Sequence, residues 1–332
     1  MKALVTGATG FIGRHLVERL VNKGITVRVL CRKTADVSSF KRGKIELCWG
    51  DVLDSSTVEA AVRGCDQVFH LAAFAQGWAK DPQAFFETNV GGLQNVLSAA
   101  QRGSVEKVVY TSSSVTIGPS NGTPAAESSP RSQEFFTDYE HSKSVAEQEA
   151  LSYVRSGLNV VIVCPTRVFG PGVLSVANSV TKMVQQYLKG KWRFILGDGS
   201  GIGNYVYVED VVDGHLLAME KGGAGERYLL GGENASYDEF FEIIAEVSGR
   251  RYKLFHVPLS LALLTSEIEE FRGKHSKHHP LIMPGWVRTF IADWAFSTEK
   301  AQSELGCKIT PLREALAMTI KWLQQLKGNN ER

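Results

Sequence analysis

Thr6-Gly7-Ala8-Thr9-Gly10-Phe11-Ile12-Gly13 is the stretch that decides how this chain is read. Before it, Lys2-Ala3-Leu4-Val5-Thr6 is a short apolar run of the kind that forms a buried strand. After it, Phe11, Ile12, Leu16, Val17, Leu20 and Val21 recur at helical spacing over 11–23. Glycines between a strand and a helix allow a tight turn. They also let backbone N–H groups approach a pyrophosphate at the helix N-terminus, where the macrodipole favours negative charge. Gly7, Thr9, Gly10, Phe11, Ile12 and Gly13 are therefore candidate contacts of a dinucleotide. The spacing G-x-x-G-x-x-G is one residue longer than the common G-x-G-x-x-G.

Outward from this turn, β-branched runs alternate with helical patterns. Strands are predicted at 2–6, 26–31, 45–48, 67–71, 107–111 and 160–164, with long helices at 83–101 and 139–155. Such alternation predicts an α/β chain with a Rossmann-like, doubly wound parallel sheet. Beyond Pro165 the alternation weakens into helix 175–190, strand 192–196, a glycine loop at 197–203, strand 204–208, helix 209–221 and strand 226–230. Helices 236–248, 259–271, 298–305 and 311–326 follow, too many to cover the same sheet, which predicts a smaller, mostly helical C-terminal substrate lobe over the carboxyl ends of its strands. The expected division is a dinucleotide-binding domain of 1–165 plus about 204–231, and a substrate lobe of 166–203 plus 232–332.

The 332 residues, 43% hydrophobic and 22% charged with a formal net charge of +2, describe a globular chain without the basic footprint of a nucleic-acid binder. Small-molecule chemistry is the expectation. Five cysteines, Cys31, Cys48, Cys65, Cys164 and Cys307, show no C-x-x-C pair and read as reduced thiols. No apolar run reaches membrane-spanning length and no signal-peptide core precedes the first strand, so a cytoplasmic protein without a membrane partner is expected. His275-x-x-His278-His279 is the one metal-like spacing; flanked by Lys274, Lys277 and Pro280 it reads as a solvated loop, and no metal is expected.

Two further sites bear on the cofactor. Cys31-Arg32-Lys33 stands at the end of the second strand, where a carboxylate would bind a ribose 2′-hydroxyl and an arginine would accommodate a 2′-phosphate. This favours NADP(H); if Arg32 and Lys33 are merely surface charges, NAD(H) is served as well. After the third strand, Asp51 and Val52 reach either the adenine amino group or, through Asp51, the N-cap of helix 54–63. In Tyr139-Glu140-His141-Ser142-Lys143 a phenol and an ammonium lie four apart on one helical face. The charge is expected to lower the phenol pKa and suit it to move protons beside a transferring hydride.

These residues together resemble the extended short-chain dehydrogenase/reductase superfamily over essentially the whole chain. The resemblance rests on T-G-A-T-G-F-I-G at 6–13, G-D-V at 50–52, H-L-A-A at 70–73, N-V-G-G at 89–92 and V-V-Y-T-S-S-S at 108–114. It continues with Y-E-H-S-K at 139–143, P-T-R-V-F-G-P-G at 165–172 and Y-V-Y-V-E-D-V at 205–211. The segment at 214–234 is most similar to dihydroflavonol-reductase-like and farnesol-dehydrogenase-like members of the epimerase/dehydratase family. The resemblance implies that Tyr139 is the general acid/base, that Lys143 binds the nicotinamide ribose, and that Ser113 hydrogen-bonds the substrate oxygen, with Ser112 next in line. It implies that Asn89 supports the site, that Leu71, Ala72 and Ala73 line the cofactor channel, and that Pro165 and Val168 border the nicotinamide. Extended relatives pair through helices matching 83–101 and 139–155, so a homodimer is the implied assembly.

The substrate class follows from what the glycine loop lacks. Sugar-nucleotide enzymes of the superfamily carry a diphosphate-gripping arginine before Y-V-Y-V-E-D, where this chain has glycines and no arginine over 197–204. Phe74, Trp78, Phe85, Phe169 and Tyr205 are candidate walls of an apolar pocket, unless they are core packing. The expected activity is NADP(H)-dependent interconversion of an alcohol and a ketone or aldehyde on a hydrophobic small molecule. One alternative is a nucleotide-sugar epimerase or dehydratase with retained NAD, for which Arg288 or Arg167 would have to meet phosphate. The other is a non-catalytic cofactor sensor.

Overall fold

The computed structural model describes residues 1–40, 43–275 and 282–330, so His278 and His279 of the histidine tract lie outside the described residues. Seven strands form one parallel sheet in the order β10-β6-β5-β4-β1-β2-β3. They are β1 (Lys2–Thr6), β2 (Thr26–Cys31), β3 (Ile45–Trp49), β4 (Gln67–His70), β5 (Lys107–Thr111), β6 (Val160–Pro165) and β10 (Arg227–Leu230). The order reverses between β1 and β4, which opens a crevice at their carboxyl ends; ligands of open α/β sheets bind at such a switch point.

Alternate residues of each central strand feed two separate cores. Ala3, Val5, Val109, Val161 and Val163 pack beneath α1 (Phe11–Asn22) and α7 (Val208–Lys221). Leu4, Val108, Tyr110, Val160 and Ile162 pack beneath α2 (Ser55–Val62), α4 (Gly92–Arg102) and α5 (Asp138–Arg155). Both faces being covered explains why these strands lack polar interruption. β6 is buried at every position.

The remaining elements build the lobe. β7 (Arg167–Phe169), β9 (Ile202–Tyr207) and β11 (Glu233–Ser236) form a three-stranded sheet, and β8 (Phe194–Leu196) pairs with β12 (Phe255–Val257). Around them stand α6 (Ser179–Leu188), α8 (Tyr237–Ser248), α9 (Leu259–His275), α10 (Pro284–Ile291) and α11 (Leu312–Asn330). Strand 204–208 of the sequence reading is thus Ile202–Tyr207 and joins the lobe's sheet rather than the seven-stranded one. Strands β7, β11 and β12 have three or four residues, too few for a period to declare itself. The expected helix at 298–305 is present from residue 299, with Ala301–Leu305 forming a π-helical turn.

The single helix expected at 83–101 is interrupted. α3 (Gln83–Phe86) passes into a π-helical turn at Glu87–Gly91 before α4 begins. A π-turn inserts one residue into the helical register and re-aims the side chains within it, and such turns gather at functional sites. Asn89 sits inside this one.

Candidate active site

The turn after β1 is a cradle with no room for side chains. Gly7 is left-handed at φ 68°, and a Cβ there would lie 2.6 Å from the backbone of Leu71 and Ala72. A Cβ on Gly13 would overlap the Gly7 carbonyl. Gly10 is the N-cap of α1 and provides no side-chain cap; the first helical turn carries no acidic residue. The orphan N–H groups of that turn therefore face the crevice at the positive end of a helix, next to the Leu71–Ala73 backbone after β4. This surface fits the pyrophosphate of a dinucleotide. Thr6 closes it from below, its hydroxyl accepting from Ala72 N (3.3 Å) and lying 2.8 Å from His70 Nδ1.

At the end of β2, Arg32 and Lys33 are exposed, without a side-chain partner among the described residues. The nearest carboxylate after the strand, Asp36, is engaged by Arg14, whose Nε also donates to Thr9 O (3.2 Å). Arg14 thus braces the glycine turn against the loop that follows β2, a role hidden in the sequence because its partner is 22 residues away. The ambiguity at Asp51 is resolved against capping. Asp54 is the N-cap of α2, its side chain accepting from Ser56 N and Thr57 N, whereas the Asp51 carboxylate accepts from Leu53 N, in a local turn. Val52 is buried against Gly92.

Tyr139 stands in the first turn of α5, which Thr137 caps by accepting from Glu140 N. Its phenol is pushed up to about 12 by burial, against the pull of a hydrogen bond with Ser113. Lys143, 2% exposed, does not aim at that phenol: Nζ donates to Thr111 O (2.8 Å) and Tyr110 Oη (3.5 Å) and lies 5.0 Å from the Tyr110 ring centre. Burial lowers Lys143 to about 8. The expected lowering of Tyr139 by Lys143 is therefore not realised in the chain alone, because desolvation of the phenol outweighs a cation whose donors are spent elsewhere.

Among the serines after β5 the structure discriminates where the sequence left two candidates. Ser112 and Ser114 are buried, and Ser112 Oγ donates to Glu147 (2.5 Å). Ser113 is half-exposed and is the one whose side chain pulls the Tyr139 phenol down against burial. Glu147 lies two turns beyond Tyr139 on the same helix and also accepts from Thr116 Oγ1 (2.8 Å) and Arg227 (3.0 Å). Nothing in local spacing announces it, since its partners come from β5, the following turn and β10.

Asn89 connects two walls of the site. Its Oδ1 accepts from Phe74 N (2.7 Å), and its Nδ2 donates to Ser142 Oγ (2.9 Å), which in turn donates to Tyr139 O (2.9 Å). The side chain positions backbone and reaches no open space, being 1% exposed. Pro165 and Val168 are buried beside one another in chain order, on β6 and β7.

The expected aromatic wall divides. Phe74 is half-buried, edge-on to the buried Phe85 at 4.9 Å, and Trp78 is half-buried. Phe169 and Tyr205 are core residues, at 0% and 1% exposure, with Tyr205 stacked on Phe240 at 4.3 Å; they line no open surface here. The segment after β4 is instead packed by α10, which carried no motif. Trp286 Nε1 donates to Gly77 O (3.0 Å), Gly285 packs on the Phe136 carbonyl two residues before the helix of Tyr139, and Phe290 stacks on Tyr237 at 5.3 Å. Among the described residues no group of three or more His, Cys, Asp or Glu side chains could hold a metal, and no helix is long and apolar enough to cross a membrane.

A parallel sheet with its glycine cradle at the switch point and a Ser–Tyr–Lys set beside it defines a dinucleotide-dependent enzyme of the extended short-chain type. Residues 3–231 match the NAD dependent epimerase/dehydratase family, and the chain belongs to it. Over 326 residues it is 32% identical to a dihydroflavonol 4-reductase-like protein of Synechocystis sp., covering 96% of this chain and 94% of that one. It is 31% identical to sterol demethylase protein B of Methylococcus capsulatus, covering 98% and 99%. Among solved structures, UDP-glucose 4-epimerase of Thermus thermophilus in complex with NAD superposes with a TM-score of 0.79 at 27% identity, covering 98% and 99%. The chain is an NAD(P)-dependent enzyme of this family.

Proposed function

We propose that this protein is an NADP(H)-dependent oxidoreductase that interconverts an alcohol and a ketone or aldehyde on a hydrophobic small molecule. The observation that carries the reading is the half-exposed Ser113 after β5, whose hydroxyl acts on the Tyr139 phenol against the effect of burial, beside a cradle that fits a dinucleotide. Gly7, Thr9, Gly10, Phe11, Ile12 and Gly13 would hold the pyrophosphate, Asp51 and Val52 the adenine side, Leu71–Ala73 the channel, and Pro165 and Val168 the nicotinamide border. The bound cofactor supplies or accepts the hydride at the substrate carbon.

The chain's own groups handle the oxygen. A phenol held near 12 is protonated at neutral pH, so Tyr139 is poised to give its proton to a carbonyl oxygen that Ser113 polarises. Lys143 fixes the Thr111 carbonyl from below and brings a positive charge to the floor of the site. Asn89 is a positioning residue that sets α5 against the Phe74 strand end. The exposed Arg32 and Lys33, with the neighbouring Asp36 occupied by Arg14, support a 2′-phosphate.

The names of the relatives, a dihydroflavonol 4-reductase-like protein and a sterol demethylase component, agree with apolar substrates. Consumption of NADPH and NADH against a panel of ketones and aldehydes tests the reading. Turnover that prefers NADPH and falls by about 1,000-fold in Tyr139→Phe is expected for loss of an acid/base. Wild-type turnover in Tyr139→Phe overturns the mechanism, equal use of NADH overturns the cofactor choice, and activity confined to nucleotide sugars favours epimerase chemistry.

A further inference from the structure

Arg167 is a partly buried cation without an ion-pair partner among the described residues. It opens β7, two residues beyond Pro165, and its register partner is Tyr205 on β9. Nη1 donates to Tyr237 Oη (2.7 Å) and lies 3.4 Å from Tyr205 Oη, and the guanidinium stands over both rings, at 5.2 and 5.7 Å from their centres. Other partly buried arginines are neutralised: Arg28 by Glu46, Arg131 by Glu140 and Arg227 by Glu147. At Arg167 the interactions that favour its charge come from the two phenols, against desolvation. A guanidinium has five N–H donors in a planar fork, and only Nη1 has a partner among the described residues.

One helix joins the cage to the segment that leads into the Tyr139 helix. α10 touches both places: Gly285 packs on the Phe136 carbonyl, three residues before Tyr139, and Phe290 stacks on Tyr237, which holds Arg167. Five residues of helix span about 7.5 Å. Gly203, whose Cβ would lie 2.9 Å from Tyr205 Oη, lets the guanidinium seat against β9. A partly desolvated cation with spare forked donors is matched by a planar anion, because charge-assisted bidentate bonds strengthen as water is excluded.

We propose that Arg167 is the anion anchor of the substrate site, and that the substrate is a carboxylate-bearing ketone or alcohol whose acid group lies several ångströms from the reacting carbon. This rests on the oxidoreductase reading above and narrows its substrate class from hydrophobic to amphipathic: an apolar body under Phe74 and α10, and a carboxylate on Arg167. Tyr205 and Tyr237 hold the guanidinium plane so that its free edge is presented without rotamer loss.

The full-length protein saturated with NADP⁺ is titrated, with ligand-observed NMR, against 4-acetylbenzoate, 3-(4-acetylphenyl)propanoate and the methyl ester of each. Wild-type protein is expected to bind at least one acid about 10-fold or more tighter than its ester, as one charge-assisted contact supplies. Arg167→Met erases that preference while ester binding and NADP⁺ affinity stay within about threefold, and Arg167→Lys restores part of it. Tyr237→Phe, which keeps the charge and releases Nη1, reduces the preference without abolishing it and serves as the second variant if Arg167→Met fails to fold. Equal affinity for acids and esters in the wild type, including detectable binding of neither, overturns the anchor; so does an acid preference that survives Arg167→Met and Tyr237→Phe. NADPH turnover of esters that depends on Tyr139 but ignores the acid keeps the oxidoreductase reading and removes only the anchor. Acid binding that depends on Arg167 with no carbonyl turnover does the reverse.

Discussion

The glycine cradle after β1 and the α10 strip over the Phe74–Trp78 segment face the same crevice and are made of opposite materials. The cradle is backbone: a Cβ at Gly7 or Gly13 would run into neighbouring main chain, and the first turn of α1 offers N–H groups that no side chain caps. The strip is side chains: Trp286 against Gly77, Phe290 against Tyr237, and Arg167 behind them. Recognition by backbone suits a ligand common to a whole family, and recognition by packed side chains can be retuned one residue at a time. The difference predicts that damage to the cradle removes all activity, whereas damage to the strip changes which molecule is accepted.

The sharpest way to break that contrast is Gly13→Val. Its Cβ has the Gly7 carbonyl and Ala8 in its place, so the turn must move or the helix must start elsewhere. Overpacking of about 3 kcal/mol at a binding surface corresponds to a loss of roughly 100-fold in cofactor affinity. NADPH fluorescence titration measures it, and affinity within threefold of wild type shows that the cradle does not hold the pyrophosphate. Next in size is Glu147→Leu, which leaves Arg227 without its carboxylate and Ser112 and Thr116 without their acceptor. Removing one member of a buried pair costs about 3–5 kcal/mol, less here because Arg227 is partly exposed. Chemical denaturation should therefore show a loss of about 2–3 kcal/mol, and Glu147→Leu with Arg227→Met should recover part of it. A loss under 1 kcal/mol would show that the network is not a structural support for Ser113.

The same contrast governs what could be read from the chain. β1, its glycine turn and α1 are contiguous, so strand, turn chemistry and helical period all lie within 22 residues and agree. Tyr139, Lys143 and Ser113 were legible for the same reason, each lying in a local motif. α10 was not, because eight residues beginning at Pro284 carry too few turns for a period, and its meaning lies in contacts with Gly77 and Phe136 over 140 residues away. Glu147 is helical by pattern, yet its acceptors' work is visible only once β10 brings Arg227 beside it. Phe169 and Tyr205 show the converse error: aromatic residues near a motif look like a pocket wall, and burial alone separates wall from core.

Gly77→Ala tests the strip with a smaller change. The added methyl falls on the Trp286 ring, so Trp286 must swing away and its hydrogen bond to Gly77 O is strained. A cost of about 1–2 kcal/mol confined to the substrate side predicts a rise of roughly 10-fold in KM for apolar carbonyls, with NADPH affinity unchanged within about twofold. An equal fall in cofactor affinity would dissolve the distinction between the two regions.

The last test concerns Lys143, buried against the Thr111 carbonyl beside the two regions' shared serine segment. Burial holds it at about 8 in the folded chain, below the ordinary lysine value of 10.5. The folded protein therefore releases this proton more readily than the unfolded chain does. Between about pH 8 and 10.5 the unfolded state binds the extra proton, so this residue's contribution makes stability rise with pH in that window; below about 8 both states are protonated and the contribution is at its least favourable and flat. Other groups titrate there too, so the measurement is a difference: the pH slope of unfolding free energy in the wild type minus that in Lys143→Met, without cofactor. A positive difference over that window is expected. Bound dinucleotide supplying new partners to Nζ should raise the lysine pKa and shrink the difference, while a flat difference with and without NADP⁺ would mean that Lys143 is not desolvated by the fold and does not sense the cofactor.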